Sequence, residues 1–284
     1  MTPPANFGGL PPQYCEKAGS RIVIIPVPYD RTSTWMKGAD QGPSAIIEAS
    51  ANMELYDIET DSEVYLQGIF TDAPVEADLA PADMVQAVQE RVEAHLRDRK
   101  FSVVLGGEHS VSIGSIRAHV DRYPGLTVLQ LDAHTDLRDE YEGSKYNHAC
   151  VMARVRELCP IVQVGIRSMD VSEKRSLDRD RIFFAQDIQH DSGWVERVIP
   201  KLAEDVYITI DLDAFDPAIM PSTGTPEPGG LSWYEVLRLF RTVCRTKRIV
   251  GFDVTELSPH ERNKAPNFLA AKLIYTLLSY RFLS

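Results

Sequence analysis

Eight short, β-branched and apolar runs recur along the chain: RIVII (21–25), VYLQGIF (64–70), FSVVL (101–105), LTVLQL (126–131), IVQVG (161–165), RIFFA (181–185), VYITI (206–210) and RIVGFDV (248–254). Several lack polar alternation, which is the pattern of strands buried on both faces of a parallel sheet. Helix-like stretches fall between them at 42–55, 81–99, 110–120, 148–158, 193–204, 232–245 and 265–280. Strand and helix therefore alternate, and this predicts an α/β fold of three layers, α/β/α. A mainly parallel eight-stranded sheet lies between helices, with functional groups outside the carboxyl ends of the strands. No repeat or linker breaks the alternation, so residues 1–284 are expected to form one domain, with an extended Pro- and Gly-bearing N-terminal arm over about residues 1–20.

Composition narrows the function. With 44% hydrophobic and 25% charged residues the chain can bury a substantial core. A net charge of −11 argues against nucleic acid as a partner and favours a cationic small molecule. Cys15, Cys150, Cys159 and Cys244 form no C-x-x-C pair and read as free thiols. The N-terminus has no basic patch followed by an apolar run, and no apolar stretch approaches the roughly 18 residues of a membrane helix. The expectation is a cytoplasmic protein that does not engage membranes.

The chemistry sits just past the strands. FSVVL leads into GGEHS, LTVLQL into DAHTD, VYITI into DLD and RIVGFDV into TEL. Side chains at i and i+2 of an extended segment point the same way, so Asp132 and His134 can share one point, as can Asp211 and Asp213. Asp136 joins them if the extension persists. With His109, four adjacent strand ends would gather two imidazoles and four carboxylates. Four clustered negative charges would raise one another's pKa values, whereas two divalent cations would offset them. Oxygen and imidazole donors without thiolate suit manganese better than a structural zinc site, with cobalt, nickel, iron and zinc able to bind in vitro. Alone, D-x-H-x-D or D-x-D also fits a solvated turn, and GGEHS a tight turn in which Gly106 and Gly107 supply permissive backbone.

With these motifs in hand, the sequence closely resembles the ureohydrolase family of arginases, agmatinases, guanidinobutyrases and formiminoglutamases. GGEHS, DAHTD, NHA, DLDAFDPAIMPSTGTPEPGGLS and DVTELSP occur in family order over nearly the whole chain. The resemblance implies a binuclear manganese centre, two ions per chain. His109, Asp132, Asp136 and Asp211 would hold one ion, and Asp132, His134, Asp211 and Asp213 the other. It further implies that Glu256 binds a guanidinium, that Asp136 hydrogen-bonds the nucleophile and that His148 shuttles protons. Thr209 stands where the family usually has Ser. The implied reaction releases urea from a cationic guanidino small molecule, and relatives commonly form trimers or hexamers.

Within the family, GGEHS with Glu108, TWMKGADQGPSAIIEAS, YNHACVMARV and GTPEPGGLS resemble agmatinase segments. The loop LRDEYEGSKYNH carries Asp139, Glu140 and Glu142, which suits agmatine, a substrate without a carboxylate, converted to putrescine and urea. Guanidinobutyrase, guanidinopropionase, arginase and formiminoglutamase are the alternatives. A single-zinc deacetylase-like hydrolase and a non-catalytic metal-binding relative are rival classes, both at odds with the intact ligand set. Trp35 is expected near the pocket edge, Cys150 in the core, and His95, His119, His190 and His260 on the surface.

Overall fold

The computed structural model describes residues 6–283. One eight-stranded sheet, with every pair parallel, contains β1 (Ile22–Val27), β2 (Ile69–Thr71), β3 (Phe101–Gly106), β4 (Thr127–Leu131), β5 (Ile161–Ile166), β6 (Ile182–Phe184), β7 (Asp205–Asp211) and β8 (Arg248–Thr255). Their order is β2-β1-β3-β8-β7-β4-β5-β6. Thus β3, β8, β7 and β4 are neighbours at the centre, and these are the four strands whose ends carry the motifs. All eight expected strands form.

Helices cover both faces, as a parallel sheet requires. On one face, β-residues such as Ile24, Leu129, Ile208 and Phe252 share a core with α2 (Gly42–Ser50), α6 (Ala185–Ile188), α7 (Trp194–Val198), α8 (Trp233–Thr246) and α9 (Ala265–Leu283). On the other, Val23, Val104, Val128 and Tyr207 meet α3 (Pro81–Arg97), α4 (Ser112–Arg122) and α5 (Val151–Val155). Helix starts follow local chemistry: Pro81 opens α3, and Ser232 with Glu235 forms a capping box on α8. Gly251 is needed because a Cβ there would lie 2.2 Å from Nε2 of His119, whose ring packs against β8.

Several expectations change. Residues Val64–Gln67 form a 3₁₀ turn, and after Gly68, at φ +75°, only Ile69–Thr71 is strand. The 42–55 helix stops at Ser50. The 193–204 helix divides at Pro200 into α7 and a 3₁₀ turn. The N-terminal arm is not extended over residues 6–20: Phe7–Gly9 is a 3₁₀ turn and Pro12–Cys15 the short α1. Phe7 and Leu10 are buried in the core, and the backbone N–H groups of Phe7 and Gly8 donate to Thr71 Oγ1 and Ser50 Oγ at 2.9 and 2.8 Å. Two apolar anchors draw this segment down; residues 1–5 of the expected arm lie outside the described residues. No helix among the described residues is long and apolar enough to cross a membrane.

Candidate metal centre

Alternation on the central strands builds the floor of the site. Tyr207, Thr209 and Asp211 share one face of β7, as Gln130 and Asp132 do at the end of β4. Register aligns Gln163, Gln130, Thr209 and Asp253 across β5, β4, β7 and β8. This buried polar row lies one step below the acidic cluster. Gln130 Nε2 donates to Asp132 Oδ2 at 2.7 Å, and Gln163 Nε2 to Gln130 Oε1 at 2.6 Å. The Thr209 hydroxyl donates to Asp253 Oδ1 at 2.7 Å, and Tyr207 OH donates to Asp253 Oδ2 at 2.7 Å. Since its proton is committed to Asp253, Thr209 Oγ1 accepts from His109 Nε2 at 2.8 Å. That anchors Nε2–H and turns Nδ1 towards the aspartates as the atom that can ligate.

His109 Nδ1 lies 3.2, 3.0 and 3.5 Å from oxygens of Asp132, Asp136 and Asp211, yet it is buried without a hydrogen-bond partner. His134 Nδ1 lies 2.9 Å from Asp213 and 3.6 Å from Asp132. Two compact ligand groups result, His109–Asp132–Asp211 and Asp132–His134–Asp213, sharing Asp132. All six expected ligands are therefore brought together. Asp136 joins through His109; Asp211 belongs to the first group and not to the second.

Three local expectations about how the chain does this are corrected. Extension does not persist to Asp136, which takes a left-handed φ of +52°. Glu256 is likewise left-handed, at +66°, and such strain gathers at functional sites. Asp211 and Asp213 also do not share an extended segment: Leu212–Ala214 is a 3₁₀ turn, capped by the Asp211 carboxylate, which accepts from Asp213 N–H at 2.8 Å. The turn divides the pair between the two groups. Gly106 and Gly107 serve close packing, since neither has positive φ. A Cβ on Gly107 would lie 2.0 Å from the Tyr29 carbonyl oxygen.

The electrostatics call for positive charge. Burial, then the charge of Asp132, raises Asp136; burial, then the charges of Asp213 and Asp132, raises Asp211. Asp132 moves down despite burial, drawn by the neighbouring imidazoles of His109 and His134. Both imidazoles are pushed well above their ordinary value against the opposing effect of burial, by the surrounding aspartates. Carboxylates that hold protons on their imidazoles, around an orphaned Nδ1, are a donor set fitted to divalent cations.

The cluster opens into a cavity of 290 Å³ whose walls include Trp35, Met36, Tyr141, Met169 and Asp170. Glu256 is in its lining; Oε1 accepts from His109 N–H at 2.7 Å, and burial, then the charge of Glu108, raises its carboxyl. His148 also lines it, with Nδ1 3.4 Å from Thr32 Oγ1. Burial, together with positive charge at His134 and His109, pushes His148 down to about 4, so its ordinary near-neutral value does not hold. It is a neutral imidazole at pH 7.

The acidic-loop reasoning for a cationic substrate is also corrected. Asp139 pairs with Arg154 and Lys145 at 2.7 and 3.3 Å, while Glu140 and Glu142 are exposed and outside the lining. From that loop Arg138 and Tyr141 reach the cavity, with the guanidinium 4.4 Å from the ring centroid and 3.9 Å from Asp170. Trp35, 70% exposed, does edge the pocket, and Cys150 is buried. His190 and His260 are exposed, but His95 and His119 are buried: His95 Nε2 meets Asp72 at 2.7 Å, and His119 Nε2 meets Ser102 Oγ at 3.0 Å. Sequence reasoning overlooked Gln130, Tyr207 and Asp253. The i, i+2 rule applied backwards from Asp132 and Asp211 would have found the first two.

Glu108, noted in the sequence only as part of the agmatinase-like GGEHS segment, has a definite place in the structure. Fully buried, it accepts from Thr32 N–H and Oγ1 at 2.5 Å each, from Ser33 N–H at 2.9 Å and from Ser110 Oγ at 2.5 Å. It thereby ties the segment leading to Trp35 and Met36 to the loop of His109.

An open parallel sheet with a two-centre Asp/His cluster at its central carboxyl ends defines a three-layer α/β/α enzyme fold of metal-dependent type. The chain belongs to the arginase family, whose family model matches residues 20–279. It is 40% identical over 299 residues to an N(1)-aminopropylagmatine ureohydrolase of Synechocystis sp., covering 99% of this chain and 97% of that one. The enzyme of the same name from Thermus thermophilus is 40% identical over 261 residues, covering 90% and 88%. Among solved structures, the agmatine ureohydrolase of Thermoplasma volcanium superposes with a TM-score of 0.85 at 33% identity, covering 93% and 90%.

Proposed function

We propose that this chain is a manganese-dependent ureohydrolase that cleaves the guanidino C–N bond of agmatine, releasing urea and putrescine. The observation that carries this reading is the buried, unpartnered Nδ1 of His109 among three aspartates, beside a cavity that contains Glu256. His109, Asp132, Asp136 and Asp211 would hold one ion and Asp132, His134 and Asp213 the second, to which the family resemblance adds Asp211. When bound, such ions supply Lewis acidity that lowers the pKa of water towards neutrality.

The chain's own groups do the rest. Glu256 accepts two parallel N–H bonds from the planar guanidinium, and the substrate cation favours its ionised form. Asp136 hydrogen-bonds the attacking solvent molecule and orients it. Its oxygen bonds to the guanidino carbon, the bond to the alkyl nitrogen breaks, and the departing amine takes a proton. His148, neutral at pH 7, relays that proton through its two ring nitrogens. One domain working in a cytoplasmic trimer or hexamer completes the proposal.

A second reading, N(1)-aminopropylagmatine as substrate, is favoured by the names of the Synechocystis and Thermus relatives and by the exposed rim of Trp35, Met36 and Met169, along which a longer amine could lie. Rates with agmatine, N(1)-aminopropylagmatine, arginine, guanidinobutyrate and formiminoglutamate, with manganese added, test both. Urea from either polyamine cation, at a kcat/KM at least about tenfold above arginine, is the expected result. Formamide from formiminoglutamate, or no urea from any guanidine, contradicts the proposal.

A further inference from the structure

A second cavity, of 340 Å³, lies at the opposite end of the sheet, where β1, β3 and β8 begin. Its walls carry Arg21, Arg99, Lys100, Arg122, Arg248 and Arg281 and no acidic residue. This is a dense basic patch in a chain of net charge −11. One of the six is neutralised: Arg248 pairs with Asp205, its Nη2 donating at 2.6 Å. Among the described residues the other five have no carboxylate partner. Arg21 donates to the amide of Gln67, Lys100 to the carbonyls of Lys17 and Ser20, and Arg281 to the carbonyl of Ile249.

The guanidinium groups are also held in place. Arg21 and Arg281 each lie 5.1 Å from the Phe282 ring centroid, and Arg281 lies 5.5 Å from that of Phe101. Arg122 and Arg248 lie 5.4 and 5.8 Å from that of Tyr123. Stacking on ring faces restricts these long side chains while leaving edge N–H groups able to donate. Burial lowers Arg281, and the neighbouring charges of Arg21 and Arg248 lower it further. The repulsion among these cations is thus felt inside the fold.

We infer that this cavity binds a multiply charged phosphate-bearing anion, free pyrophosphate or the diphosphate of a nucleotide. Planar guanidinium forks match phosphate oxygens in pairs, and five cations without a carboxylate partner among the described residues exceed what one monoanion would offset. The site is separate from the metal centre: β8 runs from Arg248 to Thr255 between them, about 25 Å of extended chain.

Isothermal titration of the manganese-loaded protein at about 50 mM salt, where electrostatic binding is little screened, tests the inference. Pyrophosphate and adenosine diphosphate are the probes, and R122Q and the double variant R21Q/R122Q the comparators. Both substituted residues are exposed, so the fold should be kept, and unchanged urea release and metal content check that it is. The expected result is saturable binding at about 10–100 μM, weakened about tenfold or more in the double variant. Adenosine diphosphate binding more tightly than pyrophosphate would assign the site to nucleotides, and equal affinity to the free oxyanion. No saturable binding up to about 5 mM, or equal affinity in wild type and double variant, overturns the inference; chelation of manganese by the probes gives the latter.

Discussion

The same central strands end in opposite charge at their two ends, and the two ends carry that charge under different physical conditions. At the carboxyl ends, Asp132, Asp211 and Asp213 are buried, and each depends on its neighbours for neutralisation. At the amino ends, Arg21, Arg99, Arg122 and Arg248 are exposed, with solvent as well as aromatic faces to stabilise them. A buried charge without its partner is costly, whereas an exposed one is screened. Removing one group should therefore collapse function at the acidic end and leave the basic end standing.

Asp132→Asn tests this contrast most severely. Asp132 is common to both ligand groups, so metal content should fall below one ion per chain and urea release by about 10³-fold or more, read by elemental analysis and a urea assay. Retention of two ions would break the comparison. Glu256→Gln should keep both ions while kcat/KM drops roughly 10²-fold, because a charge-assisted pair becomes a neutral contact. Loss of metal in this variant would instead make Glu256 a ligand.

Thr209→Val probes the polar row. Without the hydroxyl, His109 Nε2 loses its acceptor and Asp253 a donor. Manganese affinity should weaken about 10–100-fold by titration, with activity recovered at saturating metal. A failure of saturating manganese to restore urea release would show that Thr209 acts in some way other than holding His109.

Proton linkage supplies a milder test. His109, His134, Asp211 and Glu256 all have raised folded-state values, so the metal-free fold binds more protons than the unfolded chain. Their stabilisation is complete below the unfolded values, near 4 for the carboxyls and 6.5 for the imidazoles, and is lost as pH rises towards the folded ones. Asp132, His119 and His148 have the opposite sign: the contribution of Asp132 is lost only in acid, below about pH 4, while that of the two lowered histidines is gained as pH rises through about 6.5 and offsets part of the fall near pH 6–7. Between pH 6 and 9 the Tm of metal-free protein should fall by on the order of 5 °C, and much less when manganese is bound. A rise over that range would contradict the charge assignment. The smallest effect belongs to the basic end: R21Q/R122Q should leave kcat, KM and metal content within about twofold of wild type.

Much of the site was legible because its residues are local to strand ends. His109, Asp132, His134, Asp211 and Asp213 each follow an apolar run that has nowhere to go but the sheet interior, and the end of such a run is where backbone and side chains emerge. Asp136 and Glu256 do line the cavity, while their left-handed backbone was not foreseen, since nothing in the pattern signals positive φ at an acidic residue. The polar row was hidden because register joins Gln163, Gln130, Thr209 and Asp253 from four separate strands. The basic cavity was hidden for the same reason: its cations come from the starts of β1, β3 and β8 and the ends of α3, α4 and α9. His95 and His119 looked solvated in polar helices, but one packs on Asp72 and the other under Gly251.

The most direct measurement is a titration of metal-free protein with manganese while urea release from agmatine and N(1)-aminopropylagmatine is followed. Activity should climb and level off at two equivalents per chain. A plateau at one equivalent, or two bound ions without urea from either amine, would contradict a paired-ion centre that hydrolyses a guanidino group.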